Sequence, residues 1–248
     1  MTQVDYDTIK IRASLLPKII PKKGKLTLKG KSELDLLFLE KSYGRRKIFS
    51  SKQTEKGTER EDDSISLYRT YHQLFTKKNK RRIHTNPYID GEYDLMLYRK
   101  FKYLNEKTGR MKTGKKKHIV DIKTCWDIFT FNAKDRKKAL DEYFWQIAGY
   151  CLLTGAESGS IAYVLLNNTD EAIESEYQKM KWQLRIYDDE TPEAQELYEQ
   201  IRYNNTYDDI PLEERIKEYE FEVTQDHKDT IELIVSTQVR DYLKKKTL

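Results

Sequence analysis

The segment KHIVDIKT, residues 117–124, decides how the rest of the chain is read. Ile119, Val120 and Ile122 make it a run of strand-forming aliphatic residues, yet Asp121 and Lys123 stand two apart inside it. Strand side chains alternate between faces, so Asp121 and Lys123 share one face. On a solvated strand such a pair is an ordinary weak salt bridge. Flanked by three aliphatic residues, this strand is largely buried and the pair is enclosed.

Working outward, GEYDLMLYRKF (91–101) is also rich in aliphatic and aromatic residues and reads as a second strand. As an antiparallel neighbour it would bring Asp94 beside Asp121 and Lys123. The connecting stretch KYLNEKTGRMKTGKKK is polar and basic with two glycines, and reads as a long hairpin tip. Downstream, DEYFWQIAGYCLL (141–153) has helical periodicity, with Tyr143, Ile147, Tyr150 and Cys151 near one face and Gln146 one turn before Tyr150. Two carboxylates and a lysine make a poor core. They suit Mg²⁺, a hard cation that binds through one or two carboxylates plus phosphate oxygens. The lysine would position or help deprotonate an attacking water, or offset charge growing on the phosphate.

The flanks supply a mixed α/β pattern. SELDLLFLEKS (32–42) reads as a short helix capped by Ser32, and a second helix spans about 53–74 through Ile65, Leu67, Tyr68, Tyr71 and Leu74. KKNKRR (77–82) is a basic loop and Asn86-Pro87 a turn. SIAYVLL (160–166) is a buried strand and IKEYEFEV (216–223) a half-exposed one. Between them, the acidic, Tyr-rich stretch 170–209 holds helices near 173–184 and 192–203. Residues 226–246 form an amphipathic helix through Ile231, Ile234, Val235, Val239 and Tyr242. With no repeat and no linker, one domain is expected over 1–248, with a motif core at 57–166, an acidic helical insertion at 170–209 and a C-terminal helix at 226–248.

Of 248 residues 35% are charged, and the net charge of +5 conceals a division. Residues 1–124 carry 31 Lys and Arg against 15 Asp and Glu, whereas residues 125–248 carry 15 against 26. A basic half of that size reads as a polyanion surface, though short lysine runs also serve solubility. Two cysteines, Cys125 and Cys151, cannot supply a disulfide framework, and the four histidines show no zinc-ligand spacing. No apolar run approaches the roughly 20 residues of a membrane helix, and the N-terminus has no secretory apolar core. A cytoplasmic protein is expected.

The order G-x-x-D (Gly91, Asp94), D-x-K (Asp121, Lys123) and Q-x-x-x-Y (Gln146, Tyr150) resembles the PD-(D/E)XK nucleases. More narrowly it resembles their RecB-like and phage lambda exonuclease-like (YqaJ-type viral recombinase) branch. Ile11-Arg12-Ala13-Ser14 resembles the N-terminal Arg/Ser motif of the phage exonucleases, Lys56-Gly57-x-x-x-Glu61 their early-helix G-x-x-x-E, and the C-terminal segment their tails. The resemblance implies a restriction-endonuclease-like α/β core, a central mixed sheet flanked by helices. It implies Asp94, Asp121 and the Ile122 carbonyl as ligands of Mg²⁺, with Mn²⁺ able to substitute, and Lys123 as the catalytic lysine. Glu61 would be an extra metal or water ligand. Gln146 and Tyr150 would orient the lysine or contact the substrate backbone. Arg12 and Ser14 would hold a phosphate, the 5′-terminal one included, and Gly57, lacking a Cβ, would allow close approach beside the DNA.

The implied activity is a metal-dependent deoxyribonuclease, an exonuclease on linear duplex ends in phage-type recombination or end processing. A single-strand annealing protein and a ring-forming homo-oligomer are the implied partners, and a bacterial host's cytoplasm the location if the protein is viral. Lys80, Arg81 and Arg82 in one basic cluster, and Lys115 and Lys116 in another, suit contacts to DNA backbone. Trp126 is the best base-stacking candidate. The chain departs from the lambda-type pattern in carrying Asp121 where Glu is common. It also lacks S-P-D-G before the hairpin, which makes Asp90 a reserve for the role given to Asp94. Two cysteines exclude the four-cysteine iron–sulfur relatives. The competing readings are an endonuclease or flap or junction cutter on the same fold, an inactive DNA-binding module, and a basic interaction protein. Retention of Asp94, Asp121 and Lys123 argues against the inactive module.

Overall fold

The computed structural model describes residues 5–20, 25–45, 47, 59–105 and 107–246. A parallel pair, β1 (Ile11–Arg12) and β2 (Ile89–Asp90), lies apart from the main sheet. The main sheet holds β3 (Leu95–Asn105), β4 (Arg110–Cys125), β5 (Ser158–Leu165) and β6 (Ile216–Glu222) in that order. β3 and β4 are antiparallel, β4 and β5 parallel, and β5 and β6 antiparallel. The mixed sheet flanked by helices is the expected fold class.

The described helices are α1 (Leu16–Ile19), α2 (Leu28–Tyr43), α3 (Glu61–Tyr71), α4 (Ile128–Asn132), α5 (Arg136–Thr154), α6 (Asp170–Leu184), α7 (Pro192–Asn205), α8 (Gln225–Ile234) and α9 (Arg240–Lys244). A π turn, Val235–Val239, joins the last two. Parallel strands need a crossover, and α5 is the long helix of the one from β4 to β5. Its residues Ile147, Ala148 and Cys151 are fully buried with Ile119, Ile161 and Ile231 on one side of the sheet. On the other side, Ile65 and Tyr68 of α3 pack with Leu95, Val120, Ile122, Ala162 and Val164. β5 is buried at all eight positions because it has strands on both edges and helices on both faces. That explains why it reads as a continuous apolar run. Among the described residues no helix is long and apolar enough to cross a membrane.

Three boundaries differ from the sequence reading. The helix expected to start at Ser32 is capped instead by Thr27, whose side chain accepts from the Gly30 N–H, and it closes on Gly44 in the left-handed region. Gly30 and Lys31 hid the start, since neither looks like a first turn. The second helix is seen from Glu61, and its expected beginning lies outside the described residues. The third difference is larger. The stretch expected as a loose tip is strand, with register running from Tyr98↔Lys117 out to Asn105↔Arg110. β5 joins β4 only from His118↔Ser158 onward, so residues 98–105 and 110–117 form a two-stranded arm beyond the sheet. Its turn is held by Asn105, which accepts from Thr108 N–H and Oγ1, and by Gly109 at φ 62°. A ribbon with two solvated faces needs no buried apolar face, so its alternation is polar and reads as loop.

Candidate active site

Asp94 closes the loop before β3 and is buried. Its Oδ2 accepts from the Ile122 N–H at 2.6 Å, which fixes the carboxylate against the middle of β4. Asp121 is 3% exposed. Its Oδ1 accepts from Gln146 Nε2 at 3.2 Å, and its Oδ2 lies 2.6 Å from Lys123 Nζ. Gln146 Nε2 also donates to Tyr150 Oη at 3.1 Å, so the two α5 residues act as a bracket one turn long. Gly91 permits this arrangement: a Cβ there would come within 2.8 Å of the Tyr150 ring. A cleft of about 660 Å³ is lined by Ser14, Glu61, Asp94, Asp121, Lys123 and Gln146, with Glu92, Tyr143 and Tyr150.

Burial, and next the adjacent Asp121 charge, push the Asp94 carboxyl up to about 7; the Ile122 N–H and Lys123 pull the other way. For Lys123, burial acts to lower the ammonium pKa, but the neighbouring Asp121 and then Asp94 outweigh it and hold it above the ordinary range. The ammonium also sits 5.4 Å from the Tyr143 ring centroid. Two buried carboxylates facing one another, one of them driven towards protonation, form a donor set that a divalent cation would relieve. Asp121 Oδ2 has the Lys123 ammonium beside it but accepts no well-directed hydrogen bond. The two acids and the Ile122 carbonyl on the same strand fit Mg²⁺, which is content with few protein oxygens and completes its shell with water or phosphate.

The other expected site residues divide. Glu61 begins α3 and lines the cleft, but its carboxylate is engaged by Lys78 at 2.9 Å. Among the described residues no third acid, histidine or cysteine joins Asp94 and Asp121 in a metal-holding group. Ser14 lines the cleft, whereas Arg12 lies 3.9 Å from Glu40 of α2. Asp90, the reserve for Asp94, faces Arg82 at 3.7 Å and His84 at 3.5 Å instead. Lys80 and Arg81 line a neighbouring groove with Arg69, Lys77 and Lys78. That basic loop is stapled to the site by the Asn79 N–H, which donates to the Asp94 carbonyl at 2.8 Å. Trp126 lines a separate cavity with Arg60, Asn168 and Met180. Lys115 and Lys116 are on the arm, and Gly57 lies outside the described residues.

Sequence reasoning missed Tyr143, Lys78 and Thr124. Tyr143 was legible only as an apolar helix position, although its place three residues before Gln146 puts it on the same face. Lys78 had no signal beyond its basic run. Thr124 hydrogen-bonds Ser64 of α3 at 2.7 Å and so ties that helix to β4.

No protein-family model matches the chain, and neither does any curated protein. Solved structures do. A phage-related exonuclease from Haemophilus somnus 129PT aligns over 96% of this chain and 95% of its own, with TM-score 0.65 and 22% identity. LHK-Exo in complex with dAMP aligns over 96% of this chain and 90% of its own, with TM-score 0.57 and 15% identity. The alkaline exonuclease LHK-Exo from Laribacter hongkongensis aligns over 95% and 87%, with TM-score 0.53 and 14% identity. The chain thus has the fold of the phage-related and alkaline exonucleases, the fold that its G-x-x-D, D-x-K and Q-x-x-x-Y residues had implied.

Proposed function

We propose that the chain is a metal-dependent deoxyribonuclease, acting as an exonuclease on the ends of linear duplex DNA in phage-type recombination or end processing. The observation that carries this reading is the buried Asp94–Asp121 pair with Lys123 2.6 Å from Asp121, all opening on one cleft. Asp94, Asp121 and the Ile122 carbonyl would hold Mg²⁺ or Mn²⁺. Such an ion supplies charge neutralisation at the phosphate and acidifies a water.

The chain's own residues do the positioning. Gln146, anchored by Tyr150, holds Asp121, and Asp121 in turn fixes the Lys123 ammonium. As a cation, Lys123 is a donor, so it orients the attacking water and offsets charge on the phosphate oxygens rather than removing a proton. The water oxygen bonds to phosphorus and gives up a proton while the bond to the leaving sugar oxygen breaks and that oxygen takes one up, giving a phosphate monoester and a hydroxyl. Ser14, which lines the cleft wall, would contact a terminal phosphate. Processive action through a ring of copies, and delivery of the product strand to an annealing protein, belong to the same reading.

The test is digestion of linear, 5′-phosphorylated duplex beside covalently closed circular duplex, with Mg²⁺ or EDTA. Metal-dependent loss of the linear form alone is expected. Cutting of the circle makes the enzyme an endonuclease on the same chemistry, and no cutting of either overturns the exonuclease reading in favour of a flap or junction cutter or an inactive DNA-binding module.

A further inference from the structure

The arm formed by residues 98–105 and 110–117 plays no part in the site as described, yet its two faces are built differently. On the face shared with Leu95 and Val120, the cations nearest the sheet are internally matched, whereas Lys112 and Arg110 towards the tip of that face have no carboxylate partner among the described residues. Arg99 pairs with Glu218 and Glu220, and Lys116 with Glu157 while also lying 4.9 Å above the Phe101 ring. The opposite face carries Tyr98, Lys100, Lys102 and Leu104 across from Lys117, Lys115, Thr113 and Met111. Tyr98, Leu104 and Met111 are 62%, 59% and 63% exposed. No carboxylate among the described residues pairs with Lys100, Lys102 or Lys115, nor with Lys107, Arg110 and Lys112 nearer the tip.

Two features turn this from a solvated charge run into a docking face. Lys100 stands directly opposite Lys115 with Lys102 next along the strand, and like charges directly opposite destabilise a ribbon. An anion from outside would relieve the repulsion. Second, the two-residue period places Lys115 on the face of Asp121 and Lys123, and Lys100 and Lys102 on the face of Asp94. The uncompensated cations therefore look out on the catalytic side of the sheet. At about 3.4 Å per residue, Lys100 and Lys115 each lie roughly 20 Å along the strands from the acids, or about six base pairs of duplex.

We infer that the face of Tyr98, Lys100, Lys102, Leu104, Met111 and Lys115 grips the backbone of duplex DNA, without reading sequence, about half a helical turn or more from the phosphate being cut. This rests on the nuclease reading, since it needs DNA in the cleft. Charge complementarity selects the occupant: a polyanion with evenly spaced phosphates matches lysines that have no acid partner among the described residues. Lys116, expected among the DNA contacts, belongs to the other face and is engaged by Glu157.

The test is duplex binding by fluorescence anisotropy in EDTA across a salt series, using a 24-base-pair duplex and a hairpin with a six-base-pair stem. The proteins are wild type and the Lys100→Gln, Lys102→Gln, Lys115→Gln triple variant. On the long duplex the variant should bind roughly tenfold or more weakly at low salt, and its log K against log salt slope should shrink by about 0.9 for each phosphate no longer neutralised by a lysine. On the six-base-pair stem the two proteins should agree. Lys100→Glu separates function from structure: opposite Lys115 it should keep or raise Tm while still weakening binding. An unchanged slope in the triple variant overturns the grip, as does a fall in solution mass by light scattering without loss of DNA affinity, which assigns the face to a second copy. Lys123-dependent cleavage with an unchanged slope removes the grip alone, whereas absence of both binding and cleavage removes the nuclease reading with it.

Discussion

Strands β3 and β4 hold charge in opposite ways at their two ends. At the sheet end, Asp94 and Asp121 are buried and Lys123 half-buried, each fixed by a neighbour at hydrogen-bond or ion-pair distance, with Gln146 and Tyr150 bracketing them from α5. At the arm end, Lys100 faces Lys115 across the ribbon and water on the outside. Enclosure makes charge expensive, so the buried end tolerates it only where a strict geometry compensates it, and such geometry orients reacting groups. Exposure makes charge cheap, so the arm can leave cations unpaired for a partner that arrives from solution.

The largest effect should come from emptying the enclosed end. Asp121→Ala removes the carboxylate that holds both Gln146 and Lys123. Cleavage should fall by on the order of 10³-fold or more, and the saturable heat of Mn²⁺ binding in calorimetry should vanish. Equal heats in wild type and variant would move the metal elsewhere.

A second test uses protons. Asp94 is pushed from an ordinary 3.8 up to about 7, so between those values the folded state holds a proton that the unfolded chain has released. Stability present below about pH 4 is therefore lost as pH rises through 7, by at most about 4 kcal/mol. Melting in EDTA should show this decline, and Asp94→Asn should flatten it. A saturating divalent cation should raise Tm most above pH 7, where Asp94 is ready to ligate. Superimposable pH–Tm curves for wild type and Asp94→Asn in EDTA would contradict the crowding of the two acids.

His118 stands at the joint between sheet and arm, fully buried, with Nδ1 2.8 Å from Ser158 Oγ and Nε2 3.1 Å from Ser160 Oγ. Burial, and next the Arg99 charge, push its imidazole down to about 4, against the pull of Glu220. Here the sign reverses. The folded state binds fewer protons between about 4 and 6.5, so this stability is complete above 6.5 and lost as pH falls through 4, by at most about 3 kcal/mol. His118→Gln should remove that acid limb from the Tm profile. A limb unchanged in the variant assigns it to other groups.

The smallest effect belongs to the cleft wall. Ser14→Ala should slow digestion of 5′-phosphorylated ends about fivefold, the worth of one hydrogen bond, and leave 5′-hydroxyl ends nearly unaffected. Equal losses on both ends would detach Ser14 from phosphate recognition.

The enclosed end was largely legible in the sequence, and the arm was not. Asp121 and Lys123 announce themselves because charged residues inside an aliphatic run contradict a simple core, whereas helical spacing puts Gln146 and Tyr150 together and the family resemblance alone implied a role for them. Asp94 followed from strand pairing alone. The arm was misread because a ribbon solvated on both faces has no apolar alternation to detect. Its strand character lies in the cross-strand register and in a turn set by Asn105 and Gly109. Glu61 was legible as a cleft residue, but its engagement by Lys78 depends on a loop whose path the sequence does not specify. Arg12 and Trp126 were placed by motif and by neighbourhood in the chain, and the fold directs them to Glu40 and to a separate cavity.

On the nuclease reading Lys123 serves the reaction and not the grip, and this division of labour can be measured. It is tested most directly by measuring cleavage of a 5′-phosphorylated 24-base-pair duplex in Mg²⁺, and affinity for the same duplex in EDTA, on one preparation each of wild type and Lys123→Ala. Cleavage should be lost in the variant, with affinity close to wild type and the fold retained at a lowered Tm, because Asp121 loses its ion-pair partner. Wild-type turnover in Lys123→Ala would contradict it.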